Sequence, residues 1–117
     1  PGLDAKLPAS ASPAIIREVI REAIGFDGLL MCDDICMKAL SGTMEERTQA
    51  VLAAGCDVAL HCSGDFAEME AVAAVTPELS GDARRRFSAA TARLTLPQAF
   101  DIAQAEALVG EVLAEMA

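Results

Sequence analysis

The sequence contains no tryptophan and no tyrosine; its aromatic residues are four phenylalanines. A core made from it must be filled by small aliphatic side chains, chiefly alanine. Thin side chains bury little apolar area each, so a lone domain of this size would be marginally stable. Long apolar runs are missing too. No stretch reaches the about 18 uninterrupted apolar residues of a membrane-spanning helix, which excludes a membrane partner. No basic stretch leads into an apolar one near the start, so no secretory signal is visible. Basic residues are scarce: 9 Lys and Arg stand against 18 Asp and Glu, for a formal net charge of −9. Neutralising phosphates takes a clustered Lys/Arg excess, so nucleic acid is excluded as a partner.

What is present is aliphatic. Hydrophobic residues make up 53% of the 117 positions and are spread throughout, which argues against disorder. The length allows at most one domain. The four cysteines are Cys32, Cys36, Cys56 and Cys62. An even count suits two disulfides in a secreted chain. Each cysteine lies in or beside an apolar run, however, and no signal precedes them, so reduced, buried thiols are expected.

Residues 1–11 carry two prolines and little periodicity and are read as a loop. Ser12-Pro13 is a helix start, with Ser12 as N-cap and Pro13 in the first helical position. Ile15, Ile16, Val19, Ile20, Ala23 and Ile24 then recur at helical spacing, and Gly25 ends the helix. The short apolar run 28–32 reads as a strand covered on both faces. Thr43 and Glu46 have capping-box spacing and open a helix to Ala54, which Gly55 stops. A second short apolar run, 57–62, is another buried strand. Asp65 and Glu68 repeat the capping-box logic for a helix to about Val75, before Pro77. Residues 82–93 form a helix with Ala83, Phe87, Ala90 and Leu94 on one face. A last helix runs from about Asp101 to Met116, with Ile102, Ala105, Val109, Val112, Leu113 and Met116 on its apolar stripe. Gly110 weakens it by roughly 1 kcal/mol relative to Ala.

Strand, helix, strand is the βαβ unit of parallel α/β folds. Two strands alone leave both sheet edges unpaired. The expected fold is therefore α/β, the C-terminal part of a larger TIM (β/α)8 barrel: about two βα units followed by C-terminal helices. A phosphoacceptor receiver domain fits the acidity and length, but it needs five βα units.

Asp33 and Asp34 are the strongest candidates for chemistry. In barrels and open parallel sheets, reacting groups sit at the carboxyl ends of strands. A carboxylate there can be a covalent nucleophile, a metal ligand or a phosphoacceptor, or it can simply cap a turn. His61, inside the second run, either faces a pocket or is a hydrogen-bonded core residue. Cys32, Cys36, Cys56, His61 and Cys62 do not make a zinc set, because the paired Cys-x2-Cys knuckle is missing. Arg84-Arg85-Arg86 reads as a solvated helix face. Met31 is assigned to the core, and Met37 to the lining of a pocket.

The segment Gly25-Phe26-Asp27-Gly28-Leu29-Leu30-Met31-Cys32-Asp33-Asp34-Ile35-Cys36-Met37-Lys38 resembles the nucleophile segment of bacterial β-N-acetylhexosaminidases of glycoside hydrolase family 3. Those enzymes show Gly-Phe-Asp-Gly, an apolar strand, then Ser-Asp-Asp-Leu-Ser-Met. Leu7-Pro8-Ala9-Ser10 with Ser12-Pro13 is similar to the loop and helix start just upstream. Ala53-Ala54-Gly55-Cys56-Asp57, an apolar strand and His61-Cys62 are similar to the final barrel strand. The likeness covers residues 1–95, a barrel domain's C-terminal part, and leaves 96–117 as a C-terminal helix.

The resemblance implies a cytoplasmic, cofactor-free and metal-free retaining glycosidase. It would remove terminal N-acetylglucosamine from muropeptides during peptidoglycan recycling. It implies Asp33 as the nucleophile, and Asp34 and Met37 on the sugar side. Asp34 fits the branch that uses N-acetyl sugars. Cys32 and Cys36 depart from the pattern, replacing serines on either side of the acidic pair. The family's Lys-His-Phe-Pro-Gly-His-Gly segment and its His–Asp acid/base loop do not occur in these 117 residues. His61 does not match that histidine. These residues alone are expected to be inactive. A further expectation, of another class, is a non-catalytic module that self-associates through uncovered apolar faces.

Overall fold

The computed structural model describes residues 4–96 and 99–116. The first three residues of the predicted N-terminal loop, and positions 97, 98 and 117 of the predicted C-terminal segment, lie outside the described residues.

The prolines do keep the start irregular, but Ala9–Ala11 form one turn of 3-10 helix within the predicted loop. Asp4 organises this stretch. Its Oδ1 accepts from the Lys6 and Leu7 amides, and its Oδ2 from the Ser12 hydroxyl at 2.7 Å. Ser12 Oγ in turn accepts from the Ile15 amide at 3.2 Å, so Ser12 is the N-cap that the sequence predicts. The helix α1 (Ile15–Ala23) differs from expectation in its winding. Its turns are of the wide π type, and the Ile24 amide reaches back five residues to the Val19 carbonyl at 2.8 Å. The wider turn changes which residues share a face. Ile16 is buried and Ile20 half-buried on the core, whereas Ala23 and Ile24, placed on that face by a period of 3.6, are exposed.

Strand β1 is Met31–Asp34, then helix α2 is Met44–Ala54 and strand β2 is Val58–Leu60. The strands are parallel neighbours, the βαβ unit read from the sequence. Both strands are displaced from their predicted limits. The ladder starts later than 28–32 and takes in both aspartates, and β2 ends before His61. The predicted capping box forms in full: the Glu46 amide donates to Thr43 Oγ1 and the Thr43 amide to Glu46 Oε2. Gly55 ends α2 at φ 114°, where a Cβ would also meet Ile16 Cγ2 at 3.0 Å. That close approach lets α1 lie against the end of α2.

Helices α3 (Phe66–Val75), α4 (Gly81–Thr91) and α5 (Ile102–Glu115) complete the order. The core sits between one face of the strands and α1 and α2. Its buried apolar residues are Ala11, Ile16, Cys32, Ile35, Leu40, Val51, Ala54 and Cys56. As the composition demands, half of them are alanine or cysteine. The apolar stripe of α5 is exposed at Ile102, Val109, Val112, Leu113 and Met116. No helix among the described residues is long and apolar enough to cross a membrane.

At the amino ends of the strands, charge does the work that apolar area cannot. Asp57, whose side chain is 6% exposed, accepts from Arg21 at 2.7 Å, from Arg86 at 3.0 Å and from the Leu30 amide at 2.9 Å. Arg21 also donates to the Phe26 and Gly28 carbonyls, both at 2.8 Å. The reading of Arg84–Arg86 as a solvated face holds for Arg84 and Arg85, which are exposed, and is corrected for Arg86. Arg86 is mostly buried in the network, and Arg85 reaches Asp27 at 2.7 Å. Besides the local partner Asp82, the basic run pairs with Asp27 and Asp57, far along the sequence, where periodicity gives no sign of them.

Arg85, then Arg86, hold the Asp27 carboxyl down at about 2, against an ordinary 3.8. A lowered folded-state value stabilises above the unfolded pKa, and that contribution is lost as pH falls. The pairing is therefore complete above about pH 4 and lost on acidification towards pH 2. An NMR titration should show the Asp27 carboxyl with its midpoint near 2, moving up towards 3.8 when Arg85 and Arg86 are both replaced by alanine.

Candidate active site

The carboxyl end of β1 carries both acids that the sequence singled out for chemistry, Asp33 and Asp34. The pairing is irregular there. Met31 stands opposite Val58 and Asp34 opposite Leu60, so β1 spends three steps where β2 spends two. The extra residue is a bulge, a device that re-aims side chains at the end of a ladder. Asp33 is exposed beside it, on the face opposite buried Cys32. One Asp33 oxygen, Oδ1, accepts from the Asp34 amide at 2.8 Å, which fixes the carboxylate's orientation. Oδ2 takes no hydrogen bond among the described residues.

Asp34 is turned to a different task. Its Oδ1 accepts from the Cys36 amide at 2.9 Å and from the Cys62 amide at 3.2 Å. It thereby ties together the two loops that leave the strands. These hydrogen bonds, Cys36's first, hold its pKa below the usual carboxylate value, with the His61 ring a smaller contributor. Met37 follows in the turn after β1, 45% exposed, with its amide donating to the Asp34 carbonyl at 3.2 Å. Met31, assigned to the core by the sequence, is instead exposed on the face that carries Asp33, because the apposed face of the sheet is uncovered.

The cysteines divide. Cys32 and Cys56 belong to the core, where burial pushes the Cys56 thiol up to about 11 and raises that of Cys32 as well. Cys32 Sγ accepts from the Leu60 amide at 3.3 Å, satisfying a donor beside the bulge. The residue before the acidic pair thus serves the ladder and makes no hydrogen bond to the Asp33 carboxylate among the described residues. Cys36 is half-buried and Cys62 exposed, which corrects the expectation that all four thiols are buried.

His61, immediately after β2, is the residue whose surroundings the sequence left open. Its side chain is 9% exposed, and its Nε2 lies 3.0 Å from Glu68 Oε2 and 3.1 Å from Ser63 Oγ. The Ser63 hydroxyl donates to the same Glu68 oxygen at 2.5 Å. This overturns the second capping box. Asp65 does cap α3, accepting from the Ala67 and Glu68 amides, but the Glu68 side chain goes to His61 and Ser63.

A parallel βαβ unit with a carboxylate exposed at its carboxyl end defines an α/β chain of the kind that puts chemistry at strand ends. Comparison with known proteins says which. Residues 1–96 match the family described as glycosyl hydrolase family 3 N terminal domain, and the chain belongs to that family. It is 37% identical over 90 residues to a beta-hexosaminidase of Thiobacillus denitrificans, covering 75% of this chain and 25% of that protein. It is 40% identical over 70 residues to a beta-hexosaminidase of Bordetella pertussis, 58% of this chain and 20% of that one. A beta-hexosaminidase of Aromatoleum aromaticum is 30% identical over 96 residues, 80% of this chain and 26% of that one. The chain thus spans about a quarter of the length of these relatives.

Proposed function

We propose that the enzyme carrying this chain is a retaining β-N-acetylhexosaminidase that releases terminal N-acetylglucosamine from muropeptides, in the cytoplasm, as part of peptidoglycan recycling. The family membership and the beta-hexosaminidase names of its relatives support the activity. The βαβ unit is then the last quarter of a (β/α)8 barrel, with α1 the preceding helix, β1 the seventh strand and β2 the eighth. The barrel part ends near residue 95, and α5 lies beyond it. The uncovered face bearing Met31 and Asp33 becomes the barrel interior.

Asp33 acts as the nucleophile. Its free oxygen attacks the anomeric carbon, the glycosidic C–O bond breaks, and the leaving oxygen takes a proton from an acid outside this chain's residues. Water then attacks the same carbon, giving its proton to the group that protonated the leaving oxygen, and the C–O bond to Asp33 breaks, so that two inversions give net retention. Asp34 and Met37 lie on the sugar side, Asp34 chiefly as the tie between the two loops. The observation that carries this reading is the exposed Asp33 carboxylate at the bulged end of β1, held at one oxygen and free at the other. The test is the first anomer released from an aryl N-acetyl-β-glucosaminide by the complete enzyme, read by NMR before mutarotation. The β anomer is expected; an α anomer rules the covalent role out.

A further inference from the structure

We propose that Cys36, His61 and Glu68 form a binding site for a zinc-type divalent cation beside the strand ends. Among the described residues, a Cys36 sulfur, a His61 ring nitrogen and a Glu68 carboxylate oxygen all lie within 4.8 Å of one another. They come from three separate elements: the turn after β1, the residue after β2 and the first turn of α3. Only the fold assembles them.

The donor set selects the ion. Thiolate sulfur and imidazole nitrogen favour zinc and cobalt over magnesium and calcium, which need oxygen ligands. Zinc takes Cys, His and carboxylate ligands at about 2.3, 2.1 and 2.1 Å, which puts tetrahedral donors about 3.5 Å apart. The His61 and Glu68 atoms already stand 3.0 Å apart, and the Cys36 sulfur lies within 4.8 Å of the donor atoms of both residues. His61 is held by Glu68 and Ser63 on the very nitrogen that a metal would take, Nε2. Binding therefore exchanges the His61 Nε2 contacts with Glu68 and Ser63 for metal bonds to His61 and Glu68, without re-aiming a nearly buried ring. Three protein donors leave a fourth position for water or for Ser63 Oγ. The local charge is favourable, because Asp34 accepts from the Cys36 amide and places its carboxylate next to the site.

The set differs from the cysteine-rich one that the sequence suggests and rejects. Cys32 and Cys56 are in the core, and Glu68, which reads as a capping residue, supplies the carboxylate.

The test uses cobalt(II), a spectroscopic stand-in for zinc, with the complete reduced protein, and it does not depend on glycosidase activity. One cobalt should bind with thiolate-to-metal charge transfer and tetrahedral d–d bands, and zinc should displace it while magnesium and calcium do not. Cys36→Ser, a nearly isosteric change, should abolish the charge-transfer band. His61→Gln and Glu68→Gln should each weaken cobalt binding by at least about tenfold, with circular dichroism unchanged. Cys62→Ser should leave all of this intact. Retention of the charge-transfer band in Cys36→Ser, its loss in Cys62→Ser, or failure of millimolar cobalt to bind at all would overturn the proposal.

Discussion

Replacing Asp33 with alanine in the complete enzyme should lower kcat for an aryl N-acetyl-β-glucosaminide by about three orders of magnitude or more, the scale set by loss of a covalent nucleophile. The neighbouring structure should survive. Asp33 is exposed and its one hydrogen bond is to the next residue's amide, so little packing is lost with it. Asp33→Asn keeps that hydrogen bond and the side-chain volume but not the nucleophilic charge, so it should be as inactive as the alanine variant. The alanine variant leaves space where the carboxylate was. Azide should enter it and attack the anomeric carbon from the same side, giving the α-glycosyl azide and partial recovery of rate. In the unaltered enzyme a 2-fluoro sugar should accumulate on Asp33, and peptide mass mapping should find it there. A label on Asp34, or an Asp33→Ala variant with near-normal kcat, would refute the assignment. Asp34→Ala tests something else. It frees the Cys36 and Cys62 amides together, so its effect should follow disorder of two loops rather than loss of a covalent step.

Local signals in the sequence were legible because their physics is local. Ser12 before Pro13, Thr43 with Glu46, Gly55 and Asp65 each satisfy or end a helix within a few residues, and each does so in the structure. The strand limits were less legible. A bulge allows the polar pair Asp33–Asp34 to remain in the ladder, while an apolar run such as 28–30 can precede it. The period of α1 misled because a π-type helix turns its residues through a different angle, and nothing in the spacing of isoleucines distinguishes the two. The position of Asp33 at the carboxyl end of β1 was readable from its place after an apolar run. The surroundings of His61 were not, because Glu68 already had a plausible local role as a capping residue. Side chains with two possible partners are decided by tertiary geometry, and here the histidine took the carboxylate. The arginine run shows the same limit at longer range, since two of its acids, Asp27 and Asp57, lie far back in the chain.

That arginine network sets the largest expected loss of stability. Asp57→Ala should destabilise the fold by about 3 kcal/mol, seen as a lower denaturant midpoint, because it removes the buried carboxylate shared by two mostly buried guanidiniums, leaving Arg21 only the Phe26 and Gly28 carbonyls and Arg86 only the exposed acids Asp27 and Asp82. Asp57 holds the side chains of Arg21 and Arg86, which are 15% and 14% exposed, as well as the Leu30 amide that begins the approach to β1. The Phe26 ring lies 5.5 Å from the Arg21 guanidinium, but it is 41% exposed and supplies no counter-charge. The cost should lie in the under-neutralised cations more than in the lost attraction, and this can be separated. Adding Arg21→Met and Arg86→Met to Asp57→Ala removes both guanidiniums and replaces them with apolar side chains. The triple variant should then recover much of the stability that the single one loses, a non-additivity expected of residues in one network. Arg85→Ala, by contrast, alters only pairs that are largely open to solvent and should barely move the midpoint. If Asp57→Ala is no worse than Arg85→Ala, the amino ends of the strands are held by packing alone, and the network is only a surface feature.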